Sequence, residues 1–421
     1  MVKKWGITAL LLFGVYAIGM YFYIFHSDSA GIPANLKGTV ADPQVFMSDR
    51  ELYLSEEYSK IKNFLFFVAT PFEWLIYLLI LITGLSQAFE RWIPLQKKGG
   101  ILQNAVYVFL LSFLLFIVLF PLDYYRYSLS KNYGISTQNF HSWMRDNVID
   151  FWVNFGMTVV IVTILYWLIN KSTKKWWLNA WLLMIPYTIF LMFIQPVVID
   201  PLYNDFYPLT NKELETKILT LAEQANIPTA HVYEVNMAEK TNALNAYVTG
   251  IGSNSRIVLW DTTLNRLSEN EILFIMAHEM GHYVEKHIYF GIAGYILTMF
   301  VGLWLTAKLM PWVIARFGRV LKIKRINAIH SLPLFLLITS FLLFVSSPLS
   351  NYVSRYQETR ADQYAIELLV DPEAAVSAFQ ELTKAGLNEV NPPLLVKWFR
   401  YSHPTMLERI TNITNEIGEK E

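Results

Sequence analysis

Five consecutive residues, His278-Glu279-Met280-Gly281-His282, bring together the side chains of this sequence best suited to metal chemistry. On a helix, positions four apart project from the same face, so His278 and His282 can grip one metal ion. Glu279 lies one residue along, within reach of a water on that metal. Peptide-bond hydrolysis at zinc needs two imidazole ligands, a third ligand, an open position for water and a carboxylate base. A pentapeptide of this kind also arises by chance, so its surroundings have to supply the rest of the site.

A third histidine on an extended motif would require Gly at position 285 and His at 288. The sequence has Glu285 and Ile288 there, which leaves two alternatives. His287 is one place off and reads as an interfacial residue. A carboxylate from a second helix is the other solution, and Glu358, in Glu358-Thr359-Arg360-Ala361-Asp362, suits it. Asp362, one turn on, can accept the second ring N–H of a ligating histidine and fix its tautomer.

The elements that position these residues are membrane elements. Hydrophobic residues make up 54% of the 421 and charged residues 16%, where a soluble domain carries roughly 25% charged. Apolar stretches of the roughly 20 residues that cross a bilayer recur at Trp5–Phe25, Asn63–Gln87, Ile101–Leu122, Phe151–Asn170, Trp176–Val198, Ile288–Trp312 and Ile329–Leu349. The first reads as an uncleaved anchor. Between them, Asp200 to His287 reads as a small α/β unit. It has a helix from Lys212 to Ala225, strands at His231–Val235 and Arg256–Trp260, and a capping box of Ser268 with Glu271 opening the metal helix. Helices are expected after the last span at Tyr356–Leu369, Glu373–Ala385 and Thr405–Ile417. The fold class is therefore mainly α, a seven-helix transmembrane bundle carrying a small α/β peptidase unit. Its divisions are 1–198, 199–287, 288–349 and 350–421.

Basic residues orient the bundle. Lys3 and Lys4, then Arg91, Lys97 and Lys98, then Lys171, Lys174 and Lys175, and finally Arg316, Arg319, Lys322, Lys324 and Arg325 fall on one side. By the positive-inside rule that side is cytoplasmic, which puts Asp200–His287 and the C-terminal tail outside. The formal net charge is zero, which gives no reason to expect a nucleic-acid partner. With no cysteine in the chain, disulfides, thiolate catalysis and Cys-ligated zinc are excluded. Glu73, within the second apolar stretch, lines an interior cavity or sits at the interface if Pro71 marks a late helix start.

Four blocks give the sequence a resemblance. They are Pro201-Leu202-Tyr203-Asn204-Asp205-Phe206-Tyr207-Pro208-Leu209; Asn245-Ala246-Tyr247-Val248-Thr249-Gly250; the His278–His282 motif; and Ser354-Arg355-Tyr356-Gln357-Glu358-Thr359-Arg360-Ala361-Asp362. Together they resemble the integral-membrane zinc metalloproteases typified by the CAAX prenyl proteases that mature fungal a-factor and prelamin A, of gluzincin type. That resemblance implies one Zn2+ per chain on His278, His282 and Glu358, with Glu279 as general base. It further implies that His403 stabilises the oxyanion and that Arg409 supports the same network. Asn245 and the strand Ala246–Gly250 would bind the backbone of an extended peptide. It also implies a chamber enclosed by the seven helices. One stretch departs from eukaryotic relatives. Where they carry a basic run ending in His-Ser-Asn-Ala, this chain reads Glu239-Lys240-Thr241-Asn242-Ala243-Leu244-Asn245-Ala246.

The expected protein is a bacterial-type membrane zinc endopeptidase that acts at a lipid bilayer on peptide or protein substrates, either CAAX-type prenylated peptides or membrane and misfolded proteins. The competing class is a membrane transporter or channel with a structural zinc site. Such a site has no use for Glu279 as a base and closes its fourth position with another protein ligand.

Overall fold

The computed structural model describes residues 2–26, 31–93, 100–228, 231–249, 256–369 and 371–418. Among them, seven helices are long and apolar enough to cross a bilayer: Lys3–His26, Asp49–Thr83, Ile101–Asn132, Phe140–Lys171, Trp176–Leu202, His287–Leu321 and Ile329–Leu369. These contain the spans expected from the sequence, Asn63–Gln87 excepted at its C-terminal end, where Gly84 breaks the helix in a left-handed conformation with φ 84°.

The membrane half is built from α1 (Val2–His26), the short α2 (Pro43–Phe46), α3 (Asp49–Thr83), α4 (Leu85–Trp92), α5 (Ile101–Asn132), α6 (Phe140–Lys171) and α7 (Trp176–Ile194). Pro71 is internal to α3 and does not start it. The start is at Ser48, whose hydroxyl and the Glu51 carboxylate satisfy each other's backbone N–H groups. The second membrane helix therefore begins fourteen residues before Asn63, and its first turns are rich in polar residues. Large apolar side chains such as Leu182, Phe190, Leu297 and Trp304 stay exposed along the spans, a surface suited to lipid contact.

The peptidase half begins with β1 (Phe206–Pro208) and α8 (Lys212–Gln224), followed by β2 (Val232–Val235), β3 (Ala246–Thr249) and β4 (Arg256–Trp260). The four strands form one sheet in the order β1-β2-β4-β3. β2 and β4 are parallel, with Val232 opposite Ile257, and β3 is antiparallel to β4, with Tyr247 opposite Val258. β3 is thus an edge strand. After α9 (Asp261–Arg266) comes the metal helix α10 (Glu269–Val284), then α11 (His287–Leu321), α12 (Leu332–Leu369), α13 (Pro372–Gly386), α14 (Leu394–Arg400) and α15 (Met406–Gly418).

Two features position the site. The metal helix runs through the centre of the peptidase core, where Met276, Ala277 and Met280 have no exposure and pack with Phe274, Ala365, Phe379 and Ile410. And α12, at 38 residues, is about 57 Å long at 1.5 Å per residue, against a hydrocarbon core about 30 Å thick. The helix of the last span is therefore longer than the hydrocarbon core, and Glu358 lies on its C-terminal part, past the apolar stretch Ile329–Leu349. Between α6, α7, α11 and α12 lies an apolar cavity of about 550 Å³, with Leu183, Met184, Leu297, Leu303 and Phe335 in its wall.

The stretch Glu239–Asn242 docks the sheet on the bundle. Lys240 pairs with Asp146 of α6 at 2.6 Å, and the Asn242 and Thr241 side chains donate to the carbonyls of Gly134 and Ile135 just after α5.

Candidate active site

The capping box forms as the sequence predicts. Ser268 Oγ accepts from the Glu271 N–H, and the Glu271 carboxylate accepts from the Ser268 N–H at 2.6 Å. The helix ends where Lys286 turns left-handed at φ 57° and leads into α11. On α10, His278 and His282 share a face, with Nε2 atoms 3.2 Å apart.

Gly281 lets the second helix approach. A Cβ there would stand 3.1 Å from the Ala361 Cα and 3.3 Å from its carbonyl oxygen. This close crossing delivers Glu358, whose Oε2 lies 3.2 Å from His278 Nε2 and whose Oε1 lies 3.3 Å from His282 Nε2. Four ligands arranged tetrahedrally at about 2.0–2.1 Å from zinc stand about 3.3 Å from one another. The distance between the two imidazole nitrogens, and that from each to the Glu358 oxygen facing it, match that spacing, with a different carboxylate oxygen facing each ring. Glu358 Oε2 is buried with no hydrogen-bond donor of its own, as expected of an oxygen aimed at a shared cation. Among the described residues, this group of three is the candidate metal-binding cluster.

Each histidine's other nitrogen is engaged. His278 Nδ1 is 2.8 Å from Asp362 Oδ1. Asp362 in turn accepts two bonds from Arg409, Nε at 2.9 Å and Nη2 at 2.5 Å, and the guanidinium lies 4.0 Å over the Phe379 ring. Arg409 therefore bears on the His278–Asp362 arm rather than on His403. His282 Nδ1 is 2.9 Å from His287 Nδ1. His287 is 8% exposed, a buried partner of the metal helix at the first residue of α11. That contact depends on the left-handed turn at Lys286, which no sequence pattern announced.

The electrostatics favour a cation at the cluster. Burial disfavours the His278 cation, but the Asp362 and Glu358 carboxylates outweigh it and push its pKa up to about 9. Glu279 is partly buried, and desolvation raises its carboxyl above the ordinary range against the opposing pull of His278 and His282.

Glu279 and His278 open onto a cavity of about 340 Å³ that is also lined by Asn245, Ala246, Phe274 and His403. His403 Nε2 is 3.5 Å from Glu358 Oε1, and its Nδ1 is 3.0 Å from Ser402 Oγ. Its side chain is 56% exposed, and partial desolvation draws its pKa down from the ordinary histidine value. The Asn245 backbone is fixed by Thr263 Oγ1 and the Trp260 N–H, which leaves its side chain facing the cavity. Tyr247, Val248 and Thr249 continue the edge strand, while Gly250 lies outside the described residues. Glu73 accepts a 2.6 Å hydrogen bond from Tyr77 one turn along α3 and does not line this cavity.

A metal-competent cluster with a partly buried carboxyl beside it, on a chain with seven membrane helices, defines a membrane metallopeptidase. Comparison with known proteins agrees. The model of peptidase family M48 matches residues 208–417, and the model described as CAAX prenyl protease N-terminal, five membrane helices, matches residues 7–205. The chain is 52% identical over 419 residues to the uncharacterized metalloprotease YhfN of Bacillus subtilis (strain 168), covering 100% of this chain and 98% of that protein. It is 29% identical over 301 residues to the CAAX prenyl protease 1 homolog of Dictyostelium discoideum, covering 70% of this chain and 69% of that one. The crystal structure of S. mikatae Ste24p shares the fold, with a TM-score of 0.78 at 23% identity over 98% of this chain and 97% of that chain. The chain belongs to peptidase family M48 and is a multi-pass membrane metalloprotease.

Proposed function

We propose that this protein is a zinc-dependent membrane endopeptidase that holds one Zn2+ on His278, His282 and Glu358. The observation that carries this reading is the pair of imidazole nitrogens 3.2 Å apart, each with a Glu358 oxygen 3.2–3.3 Å away, beside the partly buried Glu279. The donor set suits zinc, which takes imidazole and carboxylate ligands and leaves a fourth position open in catalytic sites. A bound zinc ion supplies Lewis-acid polarisation of the scissile carbonyl and acidification of water.

The remaining steps belong to the chain's own side chains. Glu279 takes the proton of the attacking water and delivers it to the leaving amine, and its raised pKa suits that double task. His403 donates its N–H to the oxygen that becomes negative in the transition state. Asp362, backed by Arg409, and His287 fix the ring orientations of His278 and His282. An extended peptide joins the sheet beside β3, with Asn245 and the strand Ala246–Gly250 reading its main chain.

Main-chain recognition supports a broad substrate class: peptides and proteins at or in the bilayer, lipidated CAAX-type chains among them, as the names of the eukaryotic relatives suggest. We place the peptidase half on the extracytoplasmic face of a bacterial cell membrane, following the basic clusters at the other end of the bundle. The test is metal removal. Chelation should abolish cleavage of a fluorescence-quenched peptide, and stoichiometric zinc should restore it. Cleavage that survives complete chelation would rule the proposal out.

A further inference from the structure

The active-site cavity has a second end that the peptide-bond chemistry does not use. Away from the metal helix its wall holds Asn388, Glu389, Arg400 and Tyr401. There the loop after α13 and the last residue of α14 meet the side of α3. Arg400 Nη1 donates to Oδ1 of Asn63, a fully buried side chain. Unlike Arg266 with Glu381 or Arg409 with Asp362, Arg400 makes no ion pair among the described residues. Behind it Lys62 is also unpaired, with its Nζ 3.5 Å from Asn388 Oδ1 and 4.7 Å over the Tyr58 ring. Glu389 anchors its own N–H on Ser59 Oγ at 3.2 Å, yet its carboxyl Oε2 is buried with no hydrogen-bond partner.

The Arg400 guanidinium is partly buried in this wall and is held by no close ion pair, so its charge is only loosely compensated there. Its planar fork matches one ligand chemistry above others, a carboxylate taken by two parallel N–H bonds. We propose that Arg400, with Lys62 adding positive potential behind it, makes this end of the active-site cavity a subsite for a carboxylate of the substrate peptide. That carboxylate is either the free C-terminus or the side chain of an Asp or Glu. Arg400 precedes His403 by three residues, so their Cα atoms lie within about 11 Å. An extended peptide advances about 3.3 Å per residue, which puts the recognised carboxylate within a few residues of the scissile bond. Glu389 on the same wall opposes a second negative charge, and it limits the preference rather than creating it.

The inference rests on the peptidase reading, and the experiment separates the two. Three fluorescence-quenched peptides of one sequence are compared on the purified, zinc-loaded full chain: the free acid, the C-terminal amide, and the amide with Asp as its last residue. The wild-type chain should favour the free acid over the plain amide by roughly 10-fold or more in kcat/KM, mainly through KM, the scale of a charge-assisted hydrogen bond. Equal preference for the Asp amide would assign the subsite to acidic side chains, and preference for the free acid alone would assign it to the C-terminus. Arg400→Gln should bring the ratio close to one, Arg400→Lys should keep part of it, and Glu389→Gln should increase it. A purely structural Arg400 predicts instead that Arg400→Gln slows all three peptides alike with the ratio intact. That result, or equal rates in the wild type, overturns the proposal. Binding of the same peptides to the zinc-loaded Glu279→Gln chain, read by fluorescence anisotropy, needs no turnover. An acid preference there, with no peptide cleaved by the wild type, upholds the subsite and refutes the peptidase reading.

Discussion

His278 and His282 differ in what holds their second ring nitrogen, and the difference sets the order of expected losses. His278 leans on a carboxylate that is itself clamped by Arg409, whereas His282 leans on a neighbouring imidazole. Asp362→Ala should lower zinc affinity by roughly 10–100-fold. His287→Phe, which keeps the ring volume, should cost less, since it removes one neutral contact. Competition with a zinc chelator measures both, and a larger loss in the His287 variant would reverse the assigned roles. Arg409→Met should behave differently, because it leaves Asp362 buried without a counter-charge, a change worth about 3–5 kcal/mol of destabilisation. Thermal unfolding should register it before zinc content does. Much of this constellation was readable from spacing: the i, i+4 histidines, the adjacent Glu279, and Glu358 with Asp362 one turn on. The place of Arg409 was not, because sequence separation of 47 residues between it and Asp362 carries no sign of contact. Arg400 and Glu389 gave no signal at all, being single charged residues in a polar tail.

At the level of elements, the crossing of α10 and α12 decides whether the third ligand arrives. Gly281 is the position where the two backbones meet, and a methyl group there would press on the Ala361 main chain. Gly281→Ala should therefore push α12 back by a few tenths of an ångström and weaken zinc binding while the chain stays folded. Unchanged zinc affinity would show that the crossing has slack. The edge strand makes a second prediction. Val248→Pro removes a backbone N–H and bends β3, so it should impair cleavage of every peptide; loss of one substrate with others normal would argue against main-chain recognition. Element types were legible from hydropathy and capping, since Ser268 and Glu271 marked the metal helix correctly. Boundaries were less so. The Ser48–Glu51 cap carries no membrane signal, because the residues after it are polar. The continuity of α12 was hidden by the fall in hydropathy past Leu349, and the seven-residue α14 is too short for periodicity to show.

For the whole molecule, the open question is which side of the membrane the peptidase half faces. The basic clusters predict the extracytoplasmic side, although Lys97 and Lys98 lie outside the described residues. The absence of native cysteine allows a clean test. A cysteine at Glu223, exposed at the end of α8, should react in intact cells with a membrane-impermeant thiol reagent. One at Lys174, exposed between α6 and α7, should react only after the membrane is breached. The opposite pattern would place the peptidase half in the cytoplasm. The seven spans were legible because a bilayer imposes a length that composition reveals. The way the long helices bring the site together was not, since it depends on how α10, α11 and α12 pack.

The central claim is that Glu279 acts as a base beside a zinc ion that it does not hold. Glu279→Gln, assayed in parallel for bound zinc and for peptide cleavage, tests it most directly. One zinc per chain with cleavage reduced at least roughly 100-fold is the predicted result. Full zinc content with near-normal turnover would contradict it.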